Sequence, residues 1–275
     1  MAIAWYPAPA KLNLFLHVLG RREDGYHELQ TVFRLIDRCD RVGIALRDDG
    51  ELRFSGIFGE DNLCLRAARL LREQAAKAPG CELALEKTLP IGGGLGGGSS
   101  DAATVLLVLN RLWKLNLKRG ELMALGARLG ADVPFFLYGA NALGEGLGER
   151  LTALELPPAW YLVLEPPVSV ATRDVFADKS LTRNAKRLKI PPFLSGQGEN
   201  DLEPVVSRHF PDVAAYLAWL KARAPGARMT GSGACVFAEF RTETEALALH
   251  RELPQGWRGF AARGLERHPL HDWAE

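Results

Sequence analysis

The chain is 275 residues long, 47% apolar and 24% charged, with a formal net charge of +1. That balance suits a folded protein of one large or two smaller domains and offers no bulk attraction to nucleic acid or to an anionic membrane surface. Cys39, Cys64, Cys81 and Cys235 are scattered without a C-x-x-C pair, which excludes a zinc-site spacing and a disulfide framework and fits reduced, buried thiols.

The first residues, MAIAWYPAPAKLNL, lack the basic-then-apolar layout of a signal peptide, and no apolar run approaches the roughly 18 residues of a membrane span. A soluble, cytoplasmic protein is expected. KLNLFLHV alternates, with Leu12, Leu14, Leu16 and Val18 on one side and Lys11, Asn13, Phe15 and His17 on the other. One face of that strand packs and the other is available for chemistry. HELQTVFRLI, RVGIALR and ELRFSG follow, and the turn signals GRREDG and RDDG predict that they run antiparallel. DNLCLRAARLLREQAAKA puts Leu63, Ala67, Leu70 and Leu71 on one helical stripe, and CELALEKT is a strand. Beyond the glycine-rich stretch that CELALEKT feeds, SSDAATVLLVLNRLW and KRGELMALGARLG read as helices, followed by ADVPFFLYG.

The second half opens near residue 155 with AWYLVLEPP, a buried strand closed by two prolines. TRDVFADKSL predicts a short helix, RNAKRLKIPPFLSGQGEN a basic and mobile surface segment, and FPDVAAYLAWLKA an amphipathic helix. In ARMTGSGACVFAEF a second glycine turn precedes a strand, then ETEALALHREL is helical and WRGFAARGLE closes as a strand. The order implies an α+β sandwich for this half, with domains at 1–154 and 155–275 and no internal repeat.

The stretch LPIGGGLGGGSSDAA, residues 89–103, carries six glycines in seven positions directly before a helix. Such a loop exposes backbone amides at the positive end of a helix dipole, where an anion and above all a phosphate is favoured. Gly92, Gly94 and Gly97 satisfy G-x-G-x-x-G, but a dinucleotide site needs a second strand ending in an acid about 20 residues on, and KLNLKRGEL lies there instead. No lysine follows the last glycine, so a Walker A loop is excluded too. A plain turn does not call for six glycines with Ser99 and Ser100 at the helix mouth. A phosphate cradle of backbone amides is the better account.

These residues resemble the nucleotide loop of the GHMP kinases, the superfamily of galactokinase, homoserine kinase and mevalonate kinase, whose loop reads P-x-x-x-G-L-G-S-S-x-A. Here two further glycines follow Gly96. PAPAKLNLFLHVLGRREDGYHELQTVF at 7–33 and MTGSGACVF at 229–237 extend the resemblance in order over nearly the whole chain, toward members whose acceptor is a cytidine-diphosphate-linked methylerythritol. The resemblance implies a two-lobed α+β fold, an N-terminal lobe like the second domain of ribosomal protein S5 and a C-terminal ferredoxin-like lobe. It implies a kinase using ATP and Mg²⁺ on a small alcohol, with no nucleic-acid, membrane or obligate protein partner.

Carried onto this chain, the resemblance makes Lys11 and Asp132 the catalytic pair. Asp132 sits between apolar residues in GADVPFF, where an unpaired charge is costly and a buried cationic partner is expected. Pro90, Ile91, Gly92, Gly93, Gly94, Leu95, Gly96, Gly97, Gly98, Ser99 and Ser100 form the nucleotide loop, and no metal-ligand cluster is evident. Tyr26, His27 and Phe176 meet a cytosine, two aromatics stacking while His27 or its backbone reads the edge; Asn13 and Thr172 hydrogen-bond the substrate's polar tail. The family carries proline where this chain has Arg173. Gly231, Ser232 and Gly233 make a second amide-rich turn that holds a substrate phosphate or braces the first loop. The rivals are a kinase for another alcohol such as mevalonate or homoserine, and an RNA-binding module that has lost the chemistry. A substrate panel separates the first, and a gel shift on bulk RNA set against an ATPase assay separates the second.

Overall fold

Two long strands organise the first half of the molecule. β1 (Ala4–Arg21) and β2 (His27–Arg47) form an antiparallel hairpin, and the chain reverses between them at a turn where Gly25 takes a φ of +86°. The structure is a computed structural model describing residues 2–56, 59, 62–75, 77–189 and 198–274. β2 is one continuous strand where the sequence reads as two, HELQTVFRLI and RVGIALR. Pro7 and Pro9 sit within β1 because it pairs with β2 alone, so their missing N–H groups break no second ladder.

β3 (Leu52–Ser55), α1 (Leu63–Arg72) and β4 (Gly80–Glu86) follow, and here the antiparallel expectation fails. β3 runs parallel to β4, which inserts between β3 and β2. The reason is α1, which carries the chain back along the sheet as a parallel crossover demands. β5 (Ala142–Gly146) and β6 (Arg150–Ala153) complete a six-stranded sheet.

One face of this sheet is covered by α1, α2 (Gly97–Leu112), α3 (Arg119–Ala127) and α4 (Val133–Tyr138). In α2 every residue from Ser100 to Asn110 is buried, as a helix apolar all round requires, and Leu106 and Leu109 pack with Val42, Ile44, Leu83 and Phe135.

The second half holds β7 (Trp160–Glu165), α5 (Thr172–Ala177), α6 (Glu203–His209), α7 (Pro211–Lys221), β8 (Arg228–Met229), β9 (Val236–Phe240), α8 (Glu243–Arg251) and β10 (Arg258–Arg263). Its four-stranded antiparallel sheet has the order β10-β7-β9-β8, so its first and third strands are central and its fourth and second are edges, the ferredoxin-like order. Thr242 opens α8 with a capping box closed by Glu245.

The two sheets meet through a third cluster, in which Ala10, Leu12, Phe15, Val32 and Ile36 pack on Tyr161, Val163, Phe237 and Phe260. A bulge between Asn13 and Phe15 makes this possible. It breaks the alternation expected for KLNLFLHV: Phe15 joins Leu12 between the sheets, while Leu16 and Val18 pack with the second lobe. The last residues return to the first sheet, Leu265 N donating to Leu35 O at 2.8 Å and His268 N to Gly139 O at 2.9 Å.

The segment 183–200 is only partly described, since 190–197 lie outside the described residues. Its described start is docked where a mobile surface segment was expected. Ala185 N donates to Val18 O at 3.1 Å, and Leu188 N donates to Gln30 Oε1 at 2.7 Å. Among the described residues no helix is long and apolar enough to cross a membrane.

Candidate active site

The glycine loop joins β4 to α2. Gly92, Gly94 and Gly96 take φ values of +69°, +76° and +71°, a left-handed conformation that alternates along the loop. A Cβ would lie 2.0 Å from Ser169 Oγ at Gly92 and 2.2 Å from Thr230 O at Gly94, so both positions lack room for any side chain. Gly96 caps α2 without a side-chain hydrogen bond. The first amides of the helix, at Gly97, Gly98 and Ser99, therefore have no partner within α2, and these three residues line the cleft.

The second glycine turn is stitched to the first loop. Ala234 N and Cys235 N donate to Gly92 O and Gly93 O, each at 3.1 Å, and Thr230 Oγ1 reaches Gly94 O at 3.4 Å. The residues that flank the turn, Thr230, Ala234 and Cys235, thus hold it to the loop, and Gly231, Ser232 and Gly233 line the cleft.

Lys11 is placed from both sides. Its backbone N–H donates to Leu95 O at 3.0 Å, and its Nζ donates to Asn13 Oδ1 and lies 3.5 Å from Asp132 Oδ2. Asn13 is held in turn, Nδ2 donating to Thr31 Oγ1 at 2.8 Å and the backbone N–H to Thr230 Oγ1 at 3.0 Å. The Lys11 side chain is 3% exposed and that of Asp132 is 35% exposed. Asp132 is thus not the buried carboxylate its apolar neighbours imply. Val133, Pro134, Phe135 and Phe136 turn inward as α4, whereas Asp132 stands at its N-terminus, makes no side-chain cap bond and faces the cleft. The buried member of the pair is the lysine.

The cleft has a volume of about 1060 Å³ and runs along the loop in two directions from Lys11. Toward Gly92 lie Tyr26, His27, Thr172 and Phe176; toward Gly98 lie Asn62, Leu63, Leu85 and Lys87. Of the residues singled out from sequence, all but Ser100 line it. Ser100 is fully buried behind the loop, with its Oγ unpartnered, so only Ser99 of the two hydroxyls reaches the cleft.

At the Gly92 end, Thr172 Oγ1 and Ser232 Oγ share a hydrogen bond of 2.7 Å. Phe176 already has one ring beside it. The His27 ring lies against it, centroids 5.1 Å apart and planes inclined by 30°, while Tyr26 stands 62% exposed at the rim.

Several residues of the site were not legible in advance. Lys87 Nζ bridges the buried carboxylates of Asp40 and Asp101, donating to Asp101 Oδ2 at 2.9 Å, and Asp40 Oδ1 accepts from Thr88 N and Leu89 N at 2.7 and 2.9 Å. The network ties the strand exit to the first turns of α2. Burial outweighs the pull of Lys87 and, with the neighbouring Asp40 charge, pushes the Asp101 carboxyl up from its ordinary range. The available signal was Asp101 itself, one acid within an otherwise apolar helix. Leu63, on the apolar stripe of α1, lines the cleft, and Asn62 caps that helix by accepting from Leu65 N at 2.9 Å.

The loop can be tested at one position in particular. At Gly96 a Cβ would come within 2.9 Å of Phe136 Cζ and 3.2 Å of Lys11 Cε at a left-handed φ, so Gly96→Val disturbs Lys11 as well as any phosphate. At Gly98 the nearest atom would be Leu63 Cδ1 at 3.5 Å, and the site is exposed. Gly98→Val is expected to keep the fold and weaken ATP binding by about tenfold or more, through lost backbone approach to phosphate. Calorimetric titration with ATP reads the effect, and an unchanged Kd would leave the loop a structural turn.

Comparison with known proteins agrees with this geometry. The GHMP kinases N terminal domain matches residues 62–140 and the GHMP kinases C terminal domain residues 181–259. The 4-diphosphocytidyl-2-C-methyl-D-erythritol kinase of Nitrosospira multiformis is 58% identical, covering 98% of this chain and 94% of that protein. Its counterpart in Thiobacillus denitrificans is 57% identical, covering 98% of each. The crystal structure of a 4-(cytidine 5'-diphospho)-2C-methyl-D-erythritol kinase superposes with a TM-score of 0.84 at 37% identity, over 95% of this chain and 99% of that one. Methanococcus jannaschii mevalonate kinase, at 15% identity and a TM-score of 0.69 over 96% of this chain and 98% of its own, shares the fold. The buried lysine, the facing carboxylate and the glycine-braced helix mouth thus stand in the same two-lobed frame as these enzymes, and the chain belongs to the GHMP kinases, in the 4-diphosphocytidyl-2-C-methyl-D-erythritol kinase family.

Proposed function

We propose that this enzyme transfers the γ-phosphoryl group of ATP to the 2-hydroxyl of 4-diphosphocytidyl-2-C-methyl-D-erythritol, in the cytoplasm, as a step of non-mevalonate isoprenoid precursor synthesis. The lobes are taken as 1–154 and 155–275. The observation that carries the reading is the Lys11–Asp132 pair, 3.5 Å apart, in one cleft that the glycine loop also lines. The alcohol must lose its proton as it attacks phosphorus, and Asp132, open to the cleft, is the acceptor for that proton. Lys11 Nζ stabilises the developing alkoxide. The amides of Gly97, Gly98 and Ser99 hold the phosphates, and the apolar end at Leu63 and Leu85 takes the adenine.

Mg²⁺ accompanies ATP and neutralises phosphate charge. No group of three or more His, Cys, Asp or Glu among the described residues is arranged to hold a metal by itself; Asp132 and Ser99 both line the cleft and offer oxygens to an ion brought with ATP. At the other end Tyr26 stacks on the cytosine and His27 reads its edge. Binding the base there holds the distant hydroxyl beside Asp132, so remote binding energy serves orientation.

A panel of acceptors tests this. The cytidylyl compound is expected to be phosphorylated, with free methylerythritol phosphate a very poor acceptor and mevalonate and homoserine inactive. Tyr26→Ala with His27→Ala should raise KM for the cytidylyl substrate, by about 1 to 3 kcal/mol per base contact, with ATP affinity retained. Equal use of mevalonate or homoserine, or indifference to the double substitution, overturns the cytidine reading.

A further inference from the structure

Asn200 is a buried amide whose side chain bonds to backbone on both of its polar atoms. It is 3% exposed; Nδ2 donates to Met229 O and to Gly231 O, each at 2.8 Å, and Oδ1 accepts from Leu202 N at 3.0 Å. The residues beside it are tied to β1 in the first sheet. Leu16 N donates to Glu199 O and Asp201 N to Leu16 O, each at 2.9 Å, and Val18 N donates to Asp201 Oδ2 at 2.7 Å. Asn200 thus forms a parallel bridge with Leu16, and from that anchored place its side chain reaches the second glycine turn.

The turn it grips lies against Lys11. Gly231 takes a φ of +55°, and a Cβ there would lie 3.0 Å from Gly94 O, 3.2 Å from Asn13 Oδ1 and 3.3 Å from Lys11 Nζ. With contacts that close, a shift of Gly231 is passed on to Lys11 and Asn13. The flanking residues have holds of their own: Met229 N donates to Glu203 Oε2 at 2.8 Å, and Thr230 N donates to Cys235 O at 3.0 Å. Among the described residues, the donor to Gly231 O is Asn200.

We propose that Asn200 is a positioning residue for phosphoryl transfer: by holding Gly231 O it seats the second glycine turn against Lys11 Nζ and Asn13, and so fixes the ammonium at its place 3.5 Å from Asp132. The inference rests on the reading above that Lys11 acts on the acceptor. Asn200 does not line the cleft and touches no reacting atom, so its effect passes through the turn. Without the amide, the Gly231 carbonyl must find another partner, and the turn moves to do so. The ties from this turn to the nucleotide loop run through Thr230, Ala234 and Cys235, so ATP binding does not depend on Asn200.

The test is a mutant cycle in the whole chain. Asn200→Ala should lower the single-turnover rate with ATP in excess by about tenfold or more, the scale of a small misplacement beside reacting groups. Its Kd for ATP by calorimetry should stay close to wild type, which also reports that the variant is folded. Asn200→Ser, which keeps a donor for one of the two carbonyls, should lose less, and it takes alanine's part in every comparison if alanine does not fold. The decisive comparison is made in Lys11→Met. There the same substitution should change the rate by less than about twofold, because the group it positions is gone, while the melting temperature should fall as far as in the wild-type background. A residue that only supports the fold would not lose its effect on rate in this way. An unchanged rate in the folded variant overturns the proposal, as does a rate loss that persists in full without Lys11. If Lys11→Met alone turns over at the wild-type rate, the role of Lys11 falls and this inference with it. That result needs no Asn200 variant, so the two failures are told apart.

Discussion

Asp132→Asn is expected to lower kcat by about 10²-fold or more, the scale for losing a general base, while the fold and the affinity for ATP stay close to wild type. Asparagine keeps the shape and removes only the capacity to take a proton. The site favours a clean result, because Asp132 makes no side-chain cap to α4 and, among the described residues, pairs with Lys11 at 3.5 Å. No backbone group loses a partner when the charge goes. Single-turnover kinetics with ATP in excess isolate the chemical step, and a variant turning over near the wild-type rate would remove Asp132 from the role of base. Direct attack by an alcohol that keeps its proton until late would then be the mechanism to consider.

The second large effect is expected at Lys11. Lys11→Met fills the same buried space at 3% exposure but deletes the ammonium, and kcat should fall by about 10²-fold or more, as for loss of a preorganised electrostatic group. Methionine also leaves Asn13 Oδ1 without the donor it has from Lys11, so part of the loss is expected in KM for the acceptor if Asn13 holds it as the family resemblance implies. Lys11→Arg tests the geometry instead of the charge. A guanidinium is larger and planar and presents its donors in a fixed fork, so arginine should not place a charge where Lys11 Nζ stands and should not restore activity. The combined variant Lys11→Met with Asp132→Asn should be little slower than the worse single one, because groups that act as a unit are not additive. Multiplication of the two losses would show that they act independently. If Lys11→Met retained wild-type kcat, the lysine would be a buried structural partner of Asn13 only.

How far the sequence reaches is visible in particular elements. The glycine loop was legible because its function lies in the backbone: left-handed φ values at Gly92, Gly94 and Gly96 demand glycine, and a helix mouth demands unpaired amides. The helix α2 was legible because a run of apolar residues admits few other fates. The direction of β3 was not, since a turn signal reports that the chain reverses locally and says nothing about which strand it later joins. The alternation of KLNLFLHV failed at one bulge, a one-residue event that no period reveals.

The site divides in the same way. Motif and spacing, with the family resemblance they carry, pointed to an α+β kinase fold, a phosphate-binding loop and a short set of side chains of the right chemistry. Tertiary structure alone decided which of them share a cleft. It buried Lys11 and left Asp132 open, reversing the expected order of burial, because the turn into α4 points its apolar residues inward and its acid out. It sent Ser100 behind the loop and kept Ser99 in front, since consecutive residues on a helix point about 100° apart. It joined Lys87 to Asp40 and Asp101, and Arg183 to His27, across 47, 14 and 156 positions of sequence. Contacts at such separations follow from how sheets and helices pack, and packing depends on every neighbour at once, so no local stretch of residues contains them.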